Sequence, residues 1–141
     1  MSAEMRMLML DLLGEDTADE NEVEETARLA LVIDDDPQIR RLLARRLERF
    51  VDSVIEAASA DDAEERIRSH HVTHVVSDYR LGGDQPCGAD VIAALRRRRP
   101  GIERAVLLTA SDVARQPLPE GVDAVVSKAD GVDALIRALR L

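Results

Sequence analysis

From Leu29 onward the chain alternates apolar runs of four to six residues with stretches where apolar residues recur every three or four positions. The runs predict strands near 29–33, 53–57, 72–77, 104–108 and 122–127, with helices between and after them. Such alternation predicts an α/β domain whose parallel sheet carries helices on both faces. The first helical stretch places Ile39, Leu42, Leu43, Leu47 and Phe50 on one stripe with arginines opposite. The third uses Val91, Ile92 and Leu95, and the last Val132, Leu135, Ile136 and Leu139. Asp36 and Pro37 suit the N-cap and first turn of the first helix, and Asp130 is expected to cap the last one in the same way. Only SDVARQPLPEG separates the fourth and fifth strands, and Pro117 and Pro119 forbid a continuous helix through it. The fourth helix is therefore expected to be shortened to one turn around 112–116, or missing.

Charge divides the chain unevenly. Residues 1–27 hold nine acids against Arg6 alone and account for −8 of the net −9, so the body from residue 28 to 141 is close to neutral. That body lacks the basic footprint of a nucleic-acid binder. Arg96 to Arg99 form a basic run, read as a solvated helix terminus that complements the helix dipole. With 141 residues the chain can bury one core, giving one domain with an appendage. In the appendage, Met5, Leu8, Met9, Leu12 and Leu13 fall at helical spacing, so residues 3–13 can form an amphipathic helix with Ser2 as N-cap. The acidic stretch between Gly14 and Thr26 reads as a solvated linker. About eleven residues do not hold a helix alone in water, so this stripe is expected either to dock in an apolar groove beside the region around 112–119, where little helix covers the connections of the fourth and fifth strands, or to pair with a second copy of the protein. A lone cysteine, Cys87, and the absence of any apolar stretch of membrane-spanning length point to a soluble cytoplasmic protein with no membrane partner.

The candidate chemistry sits where the strands end. Asp34 and Asp35 follow the first strand, Asp78 the third, Thr109 the fourth and Lys128 the fifth. In a parallel sheet these positions gather at one edge, where open α/β sheets bind ligands. Three carboxylates there repel by roughly 4 kcal/mol per pair at about 4 Å and an effective dielectric near 20, which calls for a cation. An all-oxygen donor set suits Mg²⁺ or Mn²⁺. Each residue alone has a plainer reading. Aspartate at a strand end is a common turn former, and a strand-terminal threonine needs no explanation. Lys128 is harder to read plainly, because the chain has 18 arginines and this one lysine. A compact ammonium can approach a single oxygen where a planar guanidinium fits poorly. His70, His71 and His74 lack the spacing of a metal site and fit a turn before a strand, and Cys87 has no basic neighbour in sequence to activate it.

The segments LALVIDDDPQIRRLL, HVVSDYRLGG, AVLLTAS and VVSK, in that order, resemble the receiver domain of two-component response regulators over about residues 29–141. The resemblance implies a doubly wound, flavodoxin-like sheet of five parallel strands in the order 2-1-3-4-5. It implies that Asp78 accepts a phosphoryl group, and that Asp34, Asp35, Asp78 and the backbone carbonyl of Arg80 hold Mg²⁺. It further implies that Thr109 hydrogen-bonds the phosphoryl group and that Lys128 pairs with the carboxylate or phosphoryl oxygens. The implied partners are a histidine kinase or phosphotransfer protein and a downstream protein. Turnover would be limited to self-phosphorylation and autodephosphorylation.

Three departures mark the chain. The loop YRLGGDQPCG after Asp78 is about two residues longer than the common form, with Gly82-Gly83 in place of a proline. Ala129 stands where the family has a proline after the lysine, and Val125 where it has an aromatic residue. The family's usual aromatic switch therefore cannot operate in its usual form. With the last helix running to Leu141, the expectation is a stand-alone receiver acting through protein contacts. Two other readings stay open: a phosphorylation-independent interaction module, and a Mg²⁺-dependent aspartate phosphatase. The phosphatase reading is disfavoured by Arg80, where such enzymes often carry a second aspartate, and by the lack of a cap insertion.

Overall fold

A computed structural model describes residues 27–110 and 117–141. The expected helix at 3–13, the acidic linker and the single turn at 112–116 lie outside the described residues. The elements run β1 (Leu29–Ile33), α1 (Pro37–Leu47), β2 (Ser53–Ala57), α2 (Ala60–Ser69), β3 (His74–Asp78), α3 (Gly88–Arg98), β4 (Arg104–Thr109), β5 (Ala124–Ser127) and α4 (Gly131–Leu139). All strand pairs are parallel, in the order β2-β1-β3-β4-β5. This is the doubly wound arrangement expected from the sequence.

Strand alternation sorts the core into two layers. Ala30, Val32, Val76, Val106, Leu108 and Val126 face α1 and α4, whose Leu43, Leu47, Leu135 and Leu139 cover them. Leu31, Ile33, Val75, Ala105 and Leu107 face the other way, under Ala63 and Ile67 of α2 and Val91, Ile92 and Leu95 of α3. Burial on both faces explains why β1, β3 and β4 read as apolar runs, whereas the edge strand β2 carries Ser53 and Glu56.

Several expectations are corrected. The α1 stripe is narrower than its spacing suggests: Leu43, Ala44 and Leu47 are buried, whereas Ile39, Leu42 and Phe50 are exposed. Asp36 does cap α1, accepting from the amides of Gln38 and Ile39 at 2.9 and 3.4 Å. Asp130 makes no such bond, because Lys128–Asp130 form a 3-10 turn and Gly131, at φ 85°, redirects the chain into α4. The third strand starts at His74, which is buried within it rather than in a preceding turn. The fifth begins only at Ala124. The arginine run is only half solvated. Arg96 donates to the carbonyls of Gly121 and Ile102 and pairs with Asp123 at 2.8 Å, and Arg99 donates to the Ile67 carbonyl. Arg96 thus ties α3 to the loops around β4 and before β5, and Arg99 ties its end to α2.

Candidate functional site

Register brings the predicted residues together. Ile33 lies opposite Ser77, Asp78 opposite Leu108, and Thr109 opposite Ser127, so the next residue of β1, Asp34, and the next of β5, Lys128, flank Asp78 at the same edge. Oxygens of Asp34, Asp35 and Asp78 all lie within 4.8 Å of one another. Lys128 Nζ stands 3.2 Å from Asp78 Oδ1. Asp34, Asp78 and Thr109 are buried, while Asp35 is exposed. Asp78, Tyr79, Arg80, Thr109, Ala110 and Lys128 line a cleft of about 380 Å³ at this edge.

Asp34 is the most constrained of the three acids. Its Oδ1 accepts from the Asp36 amide at 2.9 Å, its carbonyl accepts from Arg40 Nη1 at 2.9 Å, and its own amide donates to Ala57 at 3.1 Å. Its Oδ2 is buried without a protein donor. Burial, above all, pushes the Asp34 carboxyl above the usual carboxylate range, and the charges of Asp78 and Asp35 push the same way. The Asp36 amide and the Lys128 ammonium oppose them. A buried oxygen with no donor, facing two further carboxylates, is the environment a hard cation satisfies, and the donor set fits Mg²⁺ or Mn²⁺.

The loop after β3 is held at both ends. The Tyr79 amide donates to Leu108 at 2.7 Å, and the Gly88 amide donates to Tyr79 at 2.7 Å. Gly88 packs so closely on the Asp78 carbonyl that a Cβ there would collide with it. Gly82, at φ 83°, lies against Asp35, and a Cβ on it would stand 2.7 Å from Oδ2. Of the Gly82-Gly83 pair, Gly82 thus brings backbone up against the acidic cluster, while Gly83 faces open space.

Sequence reasoning missed Gly82, Gly88 and Arg40 as supports of the site. Arg40, read only as the polar side of a helix, reaches back to Asp34 and pairs with Glu56 at 3.0 Å. Nothing in the spacing separates it from its neighbour Arg41. Among the described residues the acidic trio is the only group of His, Cys, Asp or Glu side chains placed to share a cation. His70 and His71 sit beside Ser69 and Arg99, and His74 bonds Thr73. Cys87 precedes α3 with its Sγ 3.4 Å from Asp90.

Solved structures with the same architecture are available for comparison. A response regulator protein from Burkholderia pseudomallei, described with a phosphorylated aspartic acid, calcium ion and citrate, is 30% identical, with a TM-score of 0.69 over 79% of this chain and 66% of that one. The chain thus spans just under two thirds of that relative. The response regulator protein TrrA from Thermotoga maritima, in complex with Mg²⁺ and BeF, is 27% identical, with a TM-score of 0.68 over 80% of this chain and 96% of that one. A CheY-like receiver domain protein from Methanospirillum hungatei, 21% identical, shares the fold at a TM-score of 0.69 over 81% and 91%. No curated protein matches the chain. The family model of the response regulator receiver domain matches residues 30–140, which hold the whole sheet edge from Asp34 to Lys128. The chain therefore belongs to the response regulator receiver domain family.

Proposed function

We propose that this protein is a phosphoacceptor of a two-component phosphorelay, with Asp78 as the residue that takes the phosphoryl group. The observation that carries the reading is the Asp78 carboxylate at the end of the central strand, 3.2 Å from the chain's one lysine and open to a cleft that Thr109 also lines. An Asp78 oxygen forms a P–O bond as the donor's bond to phosphorus breaks, giving an acyl phosphate that water later hydrolyses. Charge on the transferring group spreads over its equatorial oxygens. Lys128 supplies a fixed positive charge beside them, and the Thr109 hydroxyl orients one of them. Asp34, Asp35, Asp78 and the Arg80 carbonyl would hold Mg²⁺ or Mn²⁺, which supplies further neutralisation of phosphoryl charge when bound. The relatives' descriptions, a phosphorylated aspartate in one and Mg²⁺ with BeF in another, support the same assignment.

The phosphoryl donor is a histidine kinase or a phosphotransfer protein, and the output is a change in protein contacts rather than turnover of a small substrate. Residues 1–27 form an acidic extension to a receiver body over 28–141. A cytoplasmic location suits this chemistry, and no helix among the described residues is long and apolar enough to cross a membrane. Incubation with acetyl phosphate and Mg²⁺, followed by intact mass measurement, tests the reading. One phosphoryl group is expected on the wild type and none on Asp78→Asn. Unchanged labelling of that variant would remove Asp78 from its role.

A further inference from the structure

On the α1 and α4 side of the sheet, the two helices leave an apolar groove of about 220 Å³ between them. Leu108 and Leu135 lie at its base, Ile39, Leu42 and Val132 along its walls, and Lys128 at its rim. Leu42 is 54% exposed and Ile39 36%, although both belong to the apolar stripe of α1. The sheet needs only Leu43, Ala44 and Leu47 from that helix. Contiguous apolar surface left open in this way marks an interaction site.

We propose that this groove seats the chain's own N-terminal stripe of Met5, Leu8, Met9, Leu12 and Leu13, with the acidic segment that follows lying along the arginines of α1. Three observations favour this occupant. The stripe consists of Met and Leu side chains with no β-branching, its two flexible methionines able to adapt to an irregular groove, and so short a helix needs a surface to form on. The charges match: α1 presents Arg41, Arg45 and Arg46 to solvent around Leu42, while the segment from Glu15 to Glu25 holds seven acids in eleven residues and no base.

The reach is also sufficient. The groove lies at the carboxyl edge of the sheet and Arg28 at the opposite edge, separated by the roughly 17 Å length of a five-residue strand. Residues 14–27 can span up to about 46 Å when extended. A tether of that length holds the stripe near the groove at an effective concentration of about a millimolar, which favours it over a second copy at ordinary protein concentrations. Lys128 lines both this groove and the phosphoacceptor cleft, so an occupant of the groove touches a residue of the site.

Hydrogen exchange by mass spectrometry on the full chain tests the proposal. Peptides covering residues 3–13 should exchange roughly tenfold or more slowly than an unstructured peptide. Leu42→Asp, at an exposed position, should return them to the unstructured rate while exchange in β1 and β3 stays unchanged. Leu8→Asp with Leu12→Asp should do the same, and should expose the Ile39 to Leu43 segment. Unstructured exchange of residues 3–13 in the wild type would overturn the proposal. So would protection that survives Leu42→Asp, which places the stripe elsewhere. Protection that rises with protein concentration together with a dimer in sedimentation would assign the groove to a second copy and overturn it too.

Discussion

Replacing Asp34 by Asn should make the protein more stable without divalent cations and deaf to them. In the wild type the carboxyl oxygens of Asp34, Asp35 and Asp78 lie within 4.8 Å of one another. At an effective dielectric of about 20, each fully ionised pair costs roughly 3.5 kcal/mol or more at that separation. Lys128, 3.2 Å from Asp78, offsets part of this, and the exposure of Asp35 screens its share. Asparagine has the same shape and keeps the acceptor for the Asp36 amide, so the change removes a charge and little packing. It leaves a buried amide group where Oδ2 lacked a donor, a cost of about 1–3 kcal/mol that comes off the gain. A net gain of about 1–3 kcal/mol remains, or roughly 4–13 °C in melting temperature for a domain of this size. Mg²⁺ at about a hundred times its dissociation constant should stabilise the wild type by about 2.7 kcal/mol and the variant far less. The ranking in chelator should therefore narrow or reverse in Mg²⁺. Thermal melts by circular dichroism in chelator and in Mg²⁺, at matched ionic strength, read both effects. If Asp34→Asn melts at or below the wild type in chelator and keeps the full Mg²⁺ response, the three acids are neither mutually repulsive nor a cation site.

Lys128→Arg should keep the charge yet slow acetyl phosphate labelling by roughly tenfold or more, because a planar fork does not reproduce a point contact with Asp78 Oδ1; wild-type kinetics would reduce Lys128 to a surface charge. Gly82→Ala should cost about 1–2 kcal/mol for its φ of 83° and should also weaken Mg²⁺ binding by calorimetry, since the new Cβ meets Asp35. Loss of stability with unchanged affinity would mean that Asp35 is no ligand. Burial holds the His74 imidazole below its ordinary pKa of 6.5, with Glu103 opposing and Arg28 assisting. The unfolded chain then takes up that proton first, so the contribution of His74 is complete above 6.5 and is lost as pH falls from there through the depressed native value. Denaturant titrations of the wild type should show this acid-side decline and those of His74→Gln a shallower one; parallel profiles would contradict it.

The carboxyl edge of the sheet was legible because each buried parallel strand announces itself as an apolar run, and the residue that ends the run must lie at that edge. Asp34, Asp78, Thr109 and Lys128 needed no more than this. The outer faces were not legible to the same degree. Helical spacing assigns Ile39, Leu42 and Leu43 to one side of α1, but how much of that side is covered depends on the distance to α4, a property of two segments nearly a hundred residues apart. Arg40 and Arg41 look equivalent in sequence, and only the path of the backbone after β1 gives one of them the Asp34 carbonyl. The support from Gly82 depends on a left-handed backbone and a close approach, neither of which has a periodicity to read. Strand starts at His74 and Ala124 were blurred because Val72 and Val122 are buried just outside their strands.

The clamp at the foot of the loop after β3 gives the chain a kind of modularity. Because Tyr79 is bonded to Leu108 and Gly88 to Tyr79, with Gly88 pressed on the Asp78 carbonyl, the stretch from 80 to 87 starts and finishes at fixed points whatever lies between. Lengthening a closed loop is inexpensive, about 0.6 kcal/mol for each doubling. Insertions there can accumulate over evolutionary time, or a peptide be grafted by design, without moving Asp78. The part of the loop beyond Gly82 is thus a natural graft point, and its extra residues count as tolerated variation as long as Arg80, Leu81, Gly82 and Gly88 keep their places.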